Sequence, residues 1–315
     1  MAEVKKQATR VAYGEALVEL GAKKENLIVL DADLAGATNT GKFKKAYPDR
    51  FYDVGIAEQN LIGVATGLTA TGKLVFASSF AMFAAGRAYE QVRNAVGYTH
   101  MNVKIGATHA GLSVGEDGAT HQCCEDIALM RTIPGMTIIS PADCTEAKAA
   151  VFAAADYEGP VYLRFGRLAV PQIFDDDYQF EIGKGVQLTQ GNDVAIIATG
   201  LMVGMALEAA ETLKNEGIQA RVINIHTIKP LDEDIILKAA QETGAVVTAE
   251  EHSIIGGLGG AVSELLSEKY PVPVVKLGVN DTFGKSGPAL EVLKAFGLSL
   301  EGIIEKAKKA IGMKR

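Results

Sequence analysis

The stretch 106–121 reads Gly-Ala-Thr-His-Ala-Gly-Leu-Ser-Val-Gly-Glu-Asp-Gly-Ala-Thr-His. It gathers His109, His121, Glu116 and Asp117 among the glycines Gly106, Gly111, Gly115 and Gly118. Imidazole titrates near neutrality, so a set of histidine, acid and histidine suits proton shuttling. Glycine lets the backbone approach a ligand closely and take positive φ. Three readings fit these residues. One is a capped loop whose polar groups satisfy buried backbone. The second is a metal site of His109, Asp117, His121 and Cys123, but the spacing matches no usual zinc pattern. The third is an organic active site, and it suits the residue types best.

Other groups stand at comparable positions. Glu58 falls where an expected strand, 51–54, gives way to a helix. There it either complements the helix dipole or, partly buried, holds a proton against a ligand nitrogen. Phe80 and Phe83 are three apart and share a face of a helical turn, as core packing or as a pocket for a planar heterocycle. Arg10, Arg164 and Arg167 form an anion set or a set of surface ion pairs. The glycines of 256–260 do not fit the dinucleotide fingerprint, because 250–253 separates them from the preceding strand; they imply a tight strand-to-helix turn. His226 and His252 read as structural, and His100 as a surface residue.

The elements that position these groups alternate. Apolar runs at 27–30, 74–77, 103–107, 136–139 and 161–163 read as strands covered on both faces. Helical patterns lie at 9–20, 57–71, 84–97, 122–131 and 145–155. The alternation stops across 166–185, with Pro171 and the acidic run 175–177, and then resumes. Strands are expected at 194–198, 220–225, 245–249 and 272–276, with helices at 203–216, 233–242, 257–269, 288–296 and 300–311. The fold class is therefore α/β, as two doubly wound domains with mainly parallel sheets. The expected boundaries are 1–175 for the first domain, 176–190 for a linker and 191–315 for the second.

Composition narrows the function. The 315 residues are 48% hydrophobic and 22% charged, with a net charge of −7. That balance supports large cores and argues against nucleic acid as a partner. The cysteines Cys123, Cys124 and Cys144 make no disulfide framework, which fits a cytoplasmic setting. The first residues lack the apolar core of a signal peptide, and no run of about 18 apolar residues suggests a membrane span.

Taken together, these motifs resemble the C-terminal half of transketolase. The resemblance rests on Thr108-His109, Gly115-Glu116-Asp117-Gly118 and Thr120-His121-Gln122. Ala32-Asp33-Leu34, Gly55-Ile56-Ala57-Glu58, Ser79-Phe80 and the run Glu251 to Gly259 reinforce it, so it spans nearly the whole chain. It implies a pyrimidine-binding domain followed by the transketolase C-terminal domain, with thiamine diphosphate as cofactor. Glu58 would hydrogen-bond the aminopyrimidine and promote proton removal from the thiazolium carbon. Phe80 and Phe83 would line the pyrimidine pocket, and Leu34 would prop the cofactor with Asp33 beside it. His109, Asp117 and His121 would bind the sugar, with His109 and His121 also catalytic. Arg10, Arg167 and Arg164 would take its phosphate.

The resemblance has departures. Ala37 stands where many transketolases carry a serine, with Thr38 as a substitute, and Gly86 stands where a tyrosine is frequent. The pattern Arg87-Ala88-Tyr89-Glu90-Gln91 looks more like 1-deoxyxylulose-5-phosphate synthase, which is the alternative activity. A non-catalytic regulatory half-subunit is a further alternative. The Gly-Asp-Gly diphosphate motif of the family is missing. The resemblance therefore implies a split enzyme, expected to assemble as an α2β2 heterotetramer. Its N-terminal subunit would carry the diphosphate and Mg2+ or Ca2+, this chain would hold no metal, and self-association is expected.

Overall fold

Alternate residues of the buried strands feed opposite cores. Leu27 and Val29 pack with Leu74 and Phe76 on one side, while Ile28 and Leu30 join Val75 and Ala77 on the other. Such two-faced burial is what a parallel sheet between helices requires. The computed structural model describes residues 5–314. Residues 1–4, on which the signal-peptide expectation partly rests, and residue 315 lie outside the described residues.

The first sheet has seven strands, in the order Thr227–Lys229, Thr137–Ile139, Val161–Arg164, Val103–Thr108, Leu74–Phe80, Leu27–Asp31 and Phe51–Asp53. All neighbours run parallel except Thr227–Lys229, which is antiparallel to Thr137–Ile139. This edge strand comes from the second half of the sequence. The second sheet has five strands, ordered Val274–Val279, Val246–Ser253, Val194–Ala198, Ala220–Asn224 and Val186–Gln187. Only Val186–Gln187 is antiparallel to its neighbour. That strand lies within the stretch 176–190. The architecture is α/β with mostly parallel sheets.

Two helices differ from expectation near the sheet's carboxyl end. The helix expected over 122–131 begins only at Asp126. The backbone of Cys123 is engaged elsewhere, its carbonyl accepting from Gly111 N–H at 2.8 Å. The helix expected over 84–97 is interrupted: Met82–Arg87 and Val92–Tyr98 are π-helical, with Tyr89–Gln91 between them. Short π-helical turns recur beside functional sites.

The two halves are also locked by polar contacts. Asn224 Nδ2 donates to buried Glu146 Oε1 at 2.8 Å, and Tyr178 OH donates to the same oxygen at 2.9 Å. Burial pushes the Glu146 carboxyl up to about 7.

Candidate active site

Parallel strands end together, so residues at their carboxyl ends meet above one edge of the sheet. Phe80 is in register with Thr108, Ala107 with Arg164, and Asp31 with Ser78. This places Phe80, His109 and the loop after Asp31 along one rim.

His109 follows the strand Val103–Thr108 and adopts φ +57°. Left-handed backbone costs a non-glycine residue energy and is concentrated at functional sites. Its ring stacks on Phe80 with centroids 3.9 Å apart. Phe83 lies 6.1 Å from Phe80 at 18°, and His121 meets the Phe83 ring edge-on at 5.4 Å. Four residues singled out in the sequence thus form one aromatic and imidazole wall. Burial, followed by Arg10, Arg167 and His121, lowers His109 to about 3, so its imidazole is neutral near pH 7.

Arg10 and Arg167 border this wall. Arg10 Nη1 donates to Ala37 O at 2.5 Å, and its Nε is buried without a partner among the described residues. A buried, unused guanidinium N–H is a ready donor for an oxyanion. Arg167 Nη1 donates to Val114 O and, at 2.7 Å, to Glu116. Glu116 and Asp117 are exposed on the loop.

Arg164 departs from its expected role as an anion ligand. It is buried and its Nε donates to Asp126 Oδ2 at 2.8 Å, while Nη2 donates to Glu251 O at 2.9 Å. Tyr162 OH donates to the same Asp126 oxygen at 2.9 Å. With its charge neutralised inside the protein, Arg164 braces the region beneath the loop rather than facing a substrate.

Asp33 and Leu34 lie on the loop after Leu27–Asp31. Asp53 Oδ1 accepts from Asp33 N–H and from Gly55 N–H, both at 3.0 Å. One carboxylate therefore ties the Asp33–Leu34 loop to the turn leading into Glu58. Glu58 opens the helix Glu58–Ala70 and is 3% exposed. Its carboxyl has no hydrogen-bond partner among the described residues. Thr38 is not free to contact a phosphate: its hydroxyl is fully buried and donates to Asp31 Oδ2 at 2.7 Å. Asp31 also accepts from Thr40 Oγ1 and Leu34 N–H, each at 2.7 Å, and burial still raises it to about 6. Neither Asp31 nor Asp53 stands in a motif that marks it for this role. Only their places at strand ends hinted at them.

The second domain reaches the loop through Val246–Ser253. Ser113 N–H donates to Glu251 Oε1. Burial raises Glu251 to about 7 against the opposing pull of Arg164. Next to it, Glu250 receives Leu258 N–H and Gly259 N–H at 2.7 and 2.8 Å. A Cβ at Gly257 would lie 2.0 Å from Glu250 Oε2. The glycine run thus admits an internal carboxylate to this helix start, which explains why it departs from a dinucleotide loop. His252 is structural, with Nδ1 2.8 Å from Ser253 O and Nε2 accepting from Ala128 N–H at 3.3 Å.

Among the described residues, no cluster of three or more His, Cys, Asp or Glu side chains is placed to hold a metal ion. No helix of the described residues is long and apolar enough to cross a membrane.

Comparison with known proteins identifies both halves of the chain. Residues 5–172 match the transketolase pyrimidine-binding domain, and 183–303 match the transketolase C-terminal domain. The chain is 54% identical to a proposed transketolase C-terminal section of Methanocaldococcus jannaschii, covering 94% of each chain. It is 44% identical to a 6-deoxy-6-sulfo-D-fructose transketolase subunit of a Clostridium species, covering 95% of this chain and 92% of the relative. A solved split-gene transketolase, described as an inactive beta4 tetramer, superposes with a TM-score of 0.92 at 54% identity, covering 98% of this chain and 99% of that one. The chain belongs to the transketolase family, of which it forms the C-terminal section.

Proposed function

We propose that this chain is the C-terminal subunit of a thiamine-diphosphate-dependent transketolase. It would move a two-carbon ketol unit from a ketose phosphate to an aldose phosphate. A separate N-terminal subunit would hold the diphosphate and its Mg2+ or Ca2+. The observation that carries this reading is the wall of Phe80, Phe83, His109 and His121 at the carboxyl end of a sheet, with buried Glu58 at a neighbouring helix start.

The residues fit the pyrimidine end of the cofactor. Phe80 and Phe83 offer aromatic surface, Leu34 and Asp33 sit on a loop tied to the Glu58 turn, and the buried Glu58 carboxyl has no hydrogen-bond partner among the described residues. When bound, the cofactor supplies a carbon nucleophile that no side chain offers. Glu58 holds a proton at the ring nitrogen. Neutral His109 can donate or accept at a sugar hydroxyl, and His121 and Asp117 serve the same substrate. Arg10 and Arg167 orient its terminal oxyanion, the former through an unused Nε–H.

Within this scheme, 1–175 is the pyrimidine-binding unit and 191–315 the C-terminal domain, and the stretch 176–190 between them already lends the strand Val186–Gln187 to the second sheet. Assembly follows from sharing a site between unlike chains. Two-fold pairing of two heterodimers completes two sites as α2β2. The beta4 state of the related split-gene protein supports self-association of the isolated chain. Co-purification with a diphosphate-binding subunit, followed by assay with ketose and aldose phosphates, tests the reading.

A further inference from the structure

Building on that reading of the loop, we propose that Glu251 of the second domain is a positioning residue that fixes the substrate loop carrying His109, Asp117 and His121. Its carboxylate accepts the Ser113 N–H, from a residue 138 positions away in sequence. Ser113 lies in the first turn of the short helix Leu112–Asp117, where backbone N–H groups lack partners within the helix. The contact is buried, with Glu251 3% exposed and Ser113 1% exposed. Removing the acceptor leaves that N–H bare in a dry environment, a costly arrangement that the loop can escape only by moving.

The fit is close as well as polar. Gly111 has φ +78°, and a Cβ there would stand 2.4 Å from Glu251 Cδ. The loop therefore rests directly on this carboxylate. Glu251 is held in turn: its carbonyl receives Arg164 Nη2, and Arg164 is pinned by Asp126. Arg164, Asp126 and Cys124 are the titratable groups facing it.

The far end of the loop is stitched to the same domain. Ser253 N–H donates to Cys124 O at 2.8 Å, and Gln122 Nε2 donates to Lys285 O at 3.0 Å. The same Gln122 nitrogen reaches Leu112 O at 3.1 Å. The second domain thus brackets the loop from both ends, and this gives it a task in substrate binding without supplying a group that touches substrate.

The test has two arms. In the isolated chain, Glu251→Ala should raise amide hydrogen exchange across 111–118 by about tenfold or more. Protection of Leu74–Phe80 and Val194–Ala198 should stay as in the unsubstituted chain. Glu251→Gln, which keeps an oxygen for the Ser113 N–H, should restore most of the protection. Glu251→Asp, which draws the acceptor back by one methylene from the Ser113 N–H, should loosen the same segment, and it carries the test should Glu251→Ala not fold. In the complex with the N-terminal subunit, Glu251→Ala should lower kcat/KM for the ketose phosphate roughly 10–100-fold. The KM for thiamine diphosphate should stay unchanged, because the Glu58 side of the site is untouched. Exchange that stays at the unsubstituted level in 111–118, or rises equally in both domains, overturns the proposal. So does a loosened loop with unchanged kcat/KM, or a loss of cofactor affinity equal to the loss of substrate turnover. An inactive unsubstituted complex counts against the transketolase reading, and the exchange arm then still decides whether Glu251 anchors the loop.

Discussion

His109 lies face to face with Phe80, with ring centroids 3.9 Å apart at 30°, while its Nδ1 is 2.9 Å from Thr108 Oγ1. The contact fixes the ring plane from one side and the hydroxyl orients it from another. An imidazole so placed, beside Arg10 and Arg167, resists protonation.

That resistance gives a pH prediction. His109 titrates near 6.5 in an unfolded chain but near 3 here, because burial and then the arginines disfavour its charged form. Between those values the unfolded chain binds a proton that the folded chain does not. Its contribution to stability is therefore present above about pH 6.5 and is lost as pH falls toward 3. His109→Asn should flatten the fall in unfolding free energy across that window, measured by denaturant titration at several pH values. The His109 ring resonances should not move between pH 5 and 8, roughly the range in which an ordinary histidine titrates. A titration midpoint near 6.5 would contradict this assignment.

Arg164 should act on stability rather than on substrate. Arg164→Ala leaves Asp126 as a buried carboxylate without its counter-charge, a change that typically costs about 3–5 kcal/mol. Arg164→Lys should rescue little, since one ammonium cannot serve both Asp126 and Glu251 O with the guanidinium's geometry. Chemical denaturation of the variants measures the loss. A fully stable Arg164→Ala chain with a selective defect toward phosphorylated sugars would return Arg164 to the anion site.

The contrast between Arg164 and Arg167 shows what the sequence could reveal. Both follow the apolar run 161–163, and nothing local in the sequence separates them. The difference is made by Asp126, 38 residues away, which claims one guanidinium and not the other. Buried strands were legible from their apolar runs, and Val194–Ala198 has the bounds expected for it. The first-sheet edge Thr227–Lys229 was not, because its three residues pair with a strand from the other half. The histidine loop was visible through its residue types. Its support by Glu251 depends on a contact across 138 positions, which no periodicity encodes. Thr38 likewise reads as a free hydroxyl until Asp31 is seen beneath it.

Arg10 and Arg167 are predicted to share the oxyanion. Arg167→Ala should raise KM for phosphorylated sugars about 10–100-fold, the range of one or two charge-assisted hydrogen bonds. The effect on unphosphorylated sugars should be much smaller. Arg10→Ala should act in the same direction and release fewer protein hydrogen bonds, because among the described residues Arg10 donates to Ala37 O while Arg167 donates to Val114 O and Glu116. Steady-state kinetics with matched sugar pairs decides this. Equal effects on both classes would mark the arginines as braces for the Ala37 and Val114 backbones.

Glu58→Ala should cut turnover of the assembled enzyme by about 10²–10⁴-fold, the usual scale for a proton-transfer group. The fold should survive, because the Glu58 carboxyl makes no hydrogen bond within the described chain and only opens its helix. Circular dichroism and subunit co-elution check the fold. Hydrogen–deuterium exchange at the cofactor's reactive carbon checks the chemistry, and an unchanged exchange rate in a folded complex would remove Glu58 from that role.

Reconstitution with a diphosphate-binding N-terminal subunit decides whether this chain is one half of a transketolase. Two-carbon transfer from a ketose phosphate to an aldose phosphate is measured for the chain alone, for the complex, and for the complex carrying Glu58→Ala. Full turnover is expected only in the unsubstituted complex, with thiamine diphosphate and a divalent metal present; the Glu58→Ala complex should retain a small residue and the chain alone none. Turnover by the chain alone, or a stable cofactor-loaded complex that transfers nothing, would contradict this expectation.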